Sequence, residues 1–94
     1  MDATPDSAKD WTRIFKGLGN ENRIKIIKFL HPNKVYTVTE LKDKLGISFK
    51  WTSKNLVDLE KIGILESEGK RGHVIYRLKS PLPRKVEQVL NSLL

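Results

Sequence analysis

The stretch TVTELKDKLGISFKWTSKNLVDLEKIGILESEGKRGHVIYR, Thr37 to Arg77, reads as a helix, a tight turn, a second helix and then a two-stranded hairpin. Thr37 and Glu40 have the spacing of a capping box, in which a hydroxyl and a carboxylate each satisfy a backbone N–H left over at a helix start. Val38, Leu41 and Leu45 follow at helical spacing, and Gly46 ends the run. Gly46, Ile47 and Ser48 make so short a connection that the next helix must cross the first sharply, with Ser48 as its N-cap. On this second helix Thr52, Leu56 and Leu59 form an inward stripe, while Lys50, Ser53, Lys54 and Val57 lie on the opposite side.

After Gly63 come a first strand, Ile64 to Glu68, and a second, His73 to Leu78, in which Val74, Tyr76 and Leu78 alternate with His73, Ile75 and Arg77. Lys70 and Arg71 stand between Gly69 and Gly72, glycines that permit the positive φ a hairpin turn needs, so the tip is a thin basic finger. A helix that buries one face and offers the other fits the major groove of DNA, about 12 Å wide. A basic wing can lie along phosphates or enter a minor groove. Taken singly, Lys50 and Lys54 describe a solvated helix face and the tip a soluble turn. Their succession in one stretch favours a reader of double-stranded DNA.

Working outward, Trp11, Ile14, Phe15 and Leu18 form the stripe of an amphipathic helix from about Ser7 to Leu18. Asn20 caps a second helix running to about His31, with Ile24, Ile27 and Leu30 inward, Arg23 and Lys28 outward, and Pro32 closing it. Lys34 to Tyr36 reads as a short strand or extended link that pairs with the hairpin. Ser80, Pro81 and Pro83 end the last strand and open a final helix over residues 83–94, with Leu82, Val86, Val89, Leu90 and Leu93 on one side. That side is too apolar to stand alone. With Trp11 and Phe15 it predicts a homodimer interface between terminal helices 8–18 and 83–94, and twofold proteins match twofold DNA sites. Completion of the monomer core is the plainer use of the same residues. The predicted fold is mainly α with a small β-hairpin wing, a winged helix-turn-helix ordered helix, helix, short strand, helix, helix, strand, strand, helix.

At 94 residues the chain makes one small domain, expected over residues 8–94 after a flexible acidic N-terminus at 1–7. Net charge is +7, and Asp2, Asp6 and Asp10 against Lys9 give the first ten residues −2, so residues 11–94 carry +9. Such a basic domain favours polyanions, nucleic acid before any membrane surface. There is no cysteine, hence no disulfide, thiolate metal site or thiol nucleophile. The polar start and the short apolar runs predict neither signal peptide nor membrane span, and a cytoplasmic location. His31 and His73 have no carboxylate cluster at ligand spacing, and Gly17 with Gly19 lacks the spacing of a phosphate loop. The chain is therefore expected not to be an enzyme and to need neither metal nor cofactor.

Residues 15–27 (FKGLGNENRIKII), the set Thr39, Glu40, Leu41, Leu45, Gly46, Ile47 and Ser48, the set Thr52 to Leu56 with Leu59, Gly63, Ile64 and Leu65, and Gly72 to Leu78 together resemble the ArsR-like family of winged-helix transcriptional regulators. The resemblance runs from about Ile14 to Leu94. It implies a homodimer through the first and last helices, and DNA contact through Ser48 to Asn55 and the wing. Two departures stand out. The family's metal sensors carry cysteines in the third helix, or Asp and His on the last. Here the third helix has Lys42, Asp43 and Lys44, and the last helix offers only Glu87. Phe49 and Trp51 also stand where the family usually places small or polar residues.

The reading that results is a sequence-specific, dimeric transcriptional regulator, a repressor by expectation. Lys50, Lys54, Lys70, Arg71 and Arg77 are expected at phosphates, with His73 lining the wing and Ser48 at the helix start. Phe49, Ser53 and Asn55 are expected at base edges, Phe49 against thymine methyls, and Trp51 is expected to pack inward. The alternative is a winged-helix protein-interaction module of a larger transcription or replication assembly, anchored by Phe49, Trp51 and Val57. No pocket for a small effector is legible.

Overall fold

The first four helices each start on a side chain that accepts a backbone N–H two or three residues ahead. The computed structural model describes residues 7–94. In it α1 (Ala8–Leu18) is capped by Ser7, whose Oγ accepts the Asp10 N–H. The second helix, α2 (Glu21–Leu30), is capped by Asn20, whose Oδ1 accepts the N–H groups of Asn22 and Arg23. The Thr37–Glu40 box forms as predicted at the head of α3 (Val38–Leu45), which closes on Gly46 at φ +69°. Ser48 Oγ accepts the Trp51 N–H at 3.1 Å and starts α4 (Phe49–Lys61). Left-handed Gly46 and the immediate recapping at Ser48 turn the chain within three residues. The acidic start expected over residues 1–7 lies outside the described residues except for Ser7, which is a cap.

The wing consists of β2 (Leu65–Lys70) and β3 (His73–Leu78), and β1 (Tyr36–Thr37) joins it in a three-stranded antiparallel sheet ordered β1-β3-β2. Tyr36 pairs with Tyr76, and Leu65 with Leu78. α5 (Arg84–Leu93) follows Pro83. The predicted winged helix-turn-helix and its element order are found. The core lies where α2, α3, α4 and the sheet meet, and Ile26, Leu30, Leu41, Leu56, Leu59 and Ile64 have no exposed surface.

Three expectations about local structure and packing are corrected. The short strand is Tyr36–Thr37 rather than Lys34 to Tyr36, because the Lys34 N–H still bonds the Leu30 carbonyl at the end of α2. On α2, Ile26 is a core residue beside Ile27, while Ile24 only flanks it. Gly69 does not supply the turn's positive φ. It is a strand residue opposite Val74, the Lys70–His73 pair closes the ladder, and the turn falls on Arg71 (φ +51°) and Gly72 (φ +81°). Positive φ at both central residues is the type I′ pattern, whose twist suits a hairpin.

The apolar side assigned to dimerisation also divides. Val86 and Leu90, one helical turn apart, are buried in the chain's own core. Val89 and Leu93, one step further round α5, are half-buried and exposed. Trp11 and Leu82 are half-buried, and Phe15 is exposed with its ring stacked on Trp11 at 5.7 Å.

Candidate nucleic-acid interface

α4 decides which groups reach outward. At about 100° per residue its buried arc is filled by Thr52, Asn55, Leu56 and Leu59. Thr52 is wholly buried without cost in unmet polarity, since its Oγ1 donates to the Ser48 carbonyl at 2.9 Å. The opposite face presents Lys50, Lys54, Val57 and Lys61, with half-buried Ser53 at its margin. Phe49 borders this face on one side and Trp51 on the other. Both are left in solvent, 53% and 58% exposed. Inward packing of Trp51 is thus corrected: it lies just outside the arc that Asn55 and Leu59 occupy, and its ring sits 5.9 Å from Lys50 Nζ instead. Ser48 is exposed, with its hydroxyl committed to the cap.

Asn55 is the second correction. It is 6% exposed and accepts a hydrogen bond from Arg23 Nε at 2.9 Å, so it faces away from any groove that α4 could enter. Arg23 itself is not outward. Its guanidinium donates also to the Gly17 carbonyl at 3.2 Å and to Asp58 Oδ2 at 2.6 Å, a fork that ties α2 and the end of α1 to α4. Gly17 belongs to the same joint, because a Cβ there would collide with Ile62 Cδ1. Lys54 Nζ reaches Asp58 from the solvent side at 3.0 and 3.2 Å. Those hydrogen bonds, with the charges of Lys54, Arg23 and Lys61, hold the Asp58 carboxyl below its ordinary 3.8. One signal for this bracket was present in the sequence: Asn55 and Asp58, spaced i and i+3, can converge on a single guanidinium.

The wing is fixed to α4 by Ser67 Oγ, which donates to Glu60 Oε2 at 2.6 Å. Arg77, expected at a phosphate, is occupied by the sheet's own acids, with Nε 2.9 Å from Glu66 Oε1 and Nη2 3.6 Å from Glu68 Oε1. The Glu66 hydrogen bond is the main reason its pKa is raised. At the tip Lys70, Arg71, Gly72 and His73 are all exposed, and among the described residues neither Lys70 nor Arg71 is paired with an acid. On the outer face of α4 near its start and at the wing tip, the groups presented to a polyanion are therefore Lys50, the outer side of Lys54, Lys70 and Arg71, with Phe49, Trp51, Ser53 and Val57 as shape-bearing neighbours. No group of three His, Cys, Asp or Glu among the described residues could hold a metal ion. No helix among them is long and apolar enough to cross a membrane.

No family model and no curated protein matches the chain. Solved structures do. The transcriptional regulator HlyU of Vibrio vulnificus is 30% identical, covering 92% of this chain and 88% of its own, with a TM-score of 0.71. The transcriptional repressor BigR of Xylella fastidiosa is 27% identical, covering 92% of this chain and 81% of its own, with a TM-score of 0.74. A homodimeric winged helix-turn-helix DNA-binding domain from Mycobacterium bovis, a possible ArsR-family regulator, shares the fold at a TM-score of 0.78 and 21% identity, over 99% of this chain and 86% of its own. These neighbours are regulators of transcription and not enzymes. With identity at this level spread over nearly the full length of both chains, and with the capped helix-turn-helix and wing in place, the chain belongs to the ArsR-like family of winged helix-turn-helix transcriptional regulators.

Proposed function

We propose that this chain is a homodimeric, sequence-specific binder of double-stranded DNA that represses transcription by occupying promoter sequence. The observation that carries the reading is the outer face of α4, where Lys50 and Lys54 stand between two exposed aromatics on a helix whose inner face is wholly buried. α4 enters the major groove by this face. Lys50, Lys54, Lys70 and Arg71 meet phosphates, with His73 beside them on the wing. Phe49 and Ser53 read base edges, Phe49 through the thymine methyl, the apolar feature of that groove. Arg77 steadies the wing from within the sheet. The apolar edge left by Trp11, Phe15, Val89 and Leu93 is the dimer face, in line with the homodimeric mycobacterial domain. A repressor of this kind works where promoter DNA is, in the cytoplasm.

The test is an electrophoretic shift on duplexes selected from a random pool, repeated across a salt series. Binding is expected to fall steeply with salt. Lys70→Ala and Arg71→Ala are expected to weaken every sequence and to flatten the salt slope by about one charge each, whereas Ser53→Ala changes which duplex is preferred. Retention that is weak and indifferent to salt, or affinity unchanged in all three variants, removes the reading.

A further inference from the structure

A cleft of about 350 Å³ opens where the end of α1, the start of α2 and the end of α4 meet. Gly17 and Ile62, in contact range of one another, bring the two outer helices together beneath it. Arg13 and Lys16 line it from α1 and Lys61 from α4; among the described residues none of the three is held in an ion pair, although the charge of Lys61 also acts on Asp58. Arg23 and Asp58 complete the wall, but the Asp58 carboxylate is already matched by Arg23 at 2.6 Å and Lys54 at 3.0 Å. Three cations from two helices, none of them held in an ion pair, thus line one shallow and open surface, where charges of one sign raise the local field and favour an anion among them. A guanidinium fork beside two point-like ammonium groups suits phosphate oxygens. The volume lies at the lower end of the range of about 300–1,000 Å³ usual for small ligands.

We propose that this cleft is a binding site for a small phosphate-bearing anion, held by Arg13 and Lys16 of α1 and Lys61 of α4. Binding there draws α1 and α4 together beside Arg23, the group that seats Asn55 and Asp58. On the DNA-binding reading above, the ligand therefore acts as an effector that changes how α4 is presented. That consequence rests on the reading; the binding itself does not.

The experiment titrates the full chain with inorganic pyrophosphate, following backbone amides by ¹H–¹⁵N NMR, against sodium chloride of matched ionic strength. Saturable shifts centred on Gly17, Arg23 and Ile62 are expected, and at least tenfold weaker binding in Lys16→Glu/Lys61→Glu. Should charge reversal unfold the chain, Lys16→Gln/Lys61→Gln is read in its place. Shifts that never saturate, that match the chloride control, or that persist unchanged in the double variant overturn the site. A parallel DNA titration of the variant separates the other source of phosphate. If pyrophosphate fails to saturate while the variant loses two charges of salt slope on DNA, these cations serve the duplex backbone and the small-ligand site is refuted. The pyrophosphate arm contains no DNA, so it stands or falls independently of whether the chain binds duplex.

Discussion

The two sides of α4 use similar residues for opposite ends. On the inner side a threonine and an asparagine are buried with Leu56 and Leu59, with Thr52 Oγ1 and Asn55 Oδ1 each hydrogen-bonded within the chain. On the outer side a phenylalanine and a tryptophan are left in water beside lysines. Hydrophobicity alone would have assigned Asn55 outward and Trp51 inward. What sorts them is whether a complementary group waits opposite: Asn55 finds Arg23, whereas Trp51 stays 58% exposed beside Lys50. The inner side is thereby a device for stability, and the outer side is free to be judged by what it binds.

If that division is correct, substitutions on the two sides should separate cleanly into effects on folding and effects on binding. The largest folding effect is expected from Leu56→Ala, which empties a fully buried site and should cost about 3 kcal/mol in chemical denaturation. Asn55→Ala follows. It strands Arg23 Nε at a partly buried position and should cost about 1–2 kcal/mol, while leaving the preferred DNA sequence as it was. A change in sequence preference with no loss of stability would put Asn55 back at a base edge and break the comparison.

Phe49→Ala and Trp51→Ala test the other side. Both residues are more than half exposed, so stability should move by no more than about 0.5 kcal/mol. Affinity for a selected duplex should drop about tenfold, or about 1.4 kcal/mol, in Phe49→Ala. Replacing single thymines of that duplex by deoxyuridine sharpens the point. One position should reproduce the Phe49→Ala loss in the parent protein and add nothing in the variant, because only the methyl group has been removed. If no thymine behaves this way, Phe49 does not read a methyl.

How much of this was legible beforehand follows the distance over which each contact acts. The caps at Asn20, Thr37 and Ser48 and the stop at Gly46 are spelled within three or four adjacent residues, and the sequence reading finds them all, as it finds Thr52, Leu56 and Leu59 on the inner side of α4 from helical spacing. Arg23 is different. Its partners Asn55 and Asp58 lie 32 and 35 residues away, so nothing local distinguishes it from a solvated arginine on the second helix. α5 shows a subtler failure: Val86 with Leu90 and Val89 with Leu93 are both apolar at helical spacing, and only the packing of the whole chain decides which pair is core. Arg77 likewise needs the cross-strand register, which sets it opposite Glu66. The anionic-ligand cleft was invisible for the same reason, since its cations come from separate helices.

The smallest expected effect is at the wing tip, where the same separation of stability from binding appears in a single residue. Arg71 holds φ +51° in a two-residue turn that asparagine and glycine fill more readily. Exposed as it is, Arg71 has no burial to offset that conformation, and its side chain is free for a contact outside the fold. Arg71→Asn should accordingly raise stability by about 0.5 kcal/mol and weaken binding to every duplex alike, with one charge less in the salt slope. Greater stability with undiminished DNA affinity would mean that the strain at Arg71 serves something other than a phosphate contact. Lower stability would mean that Arg71 makes contacts within the wing that outweigh its backbone conformation.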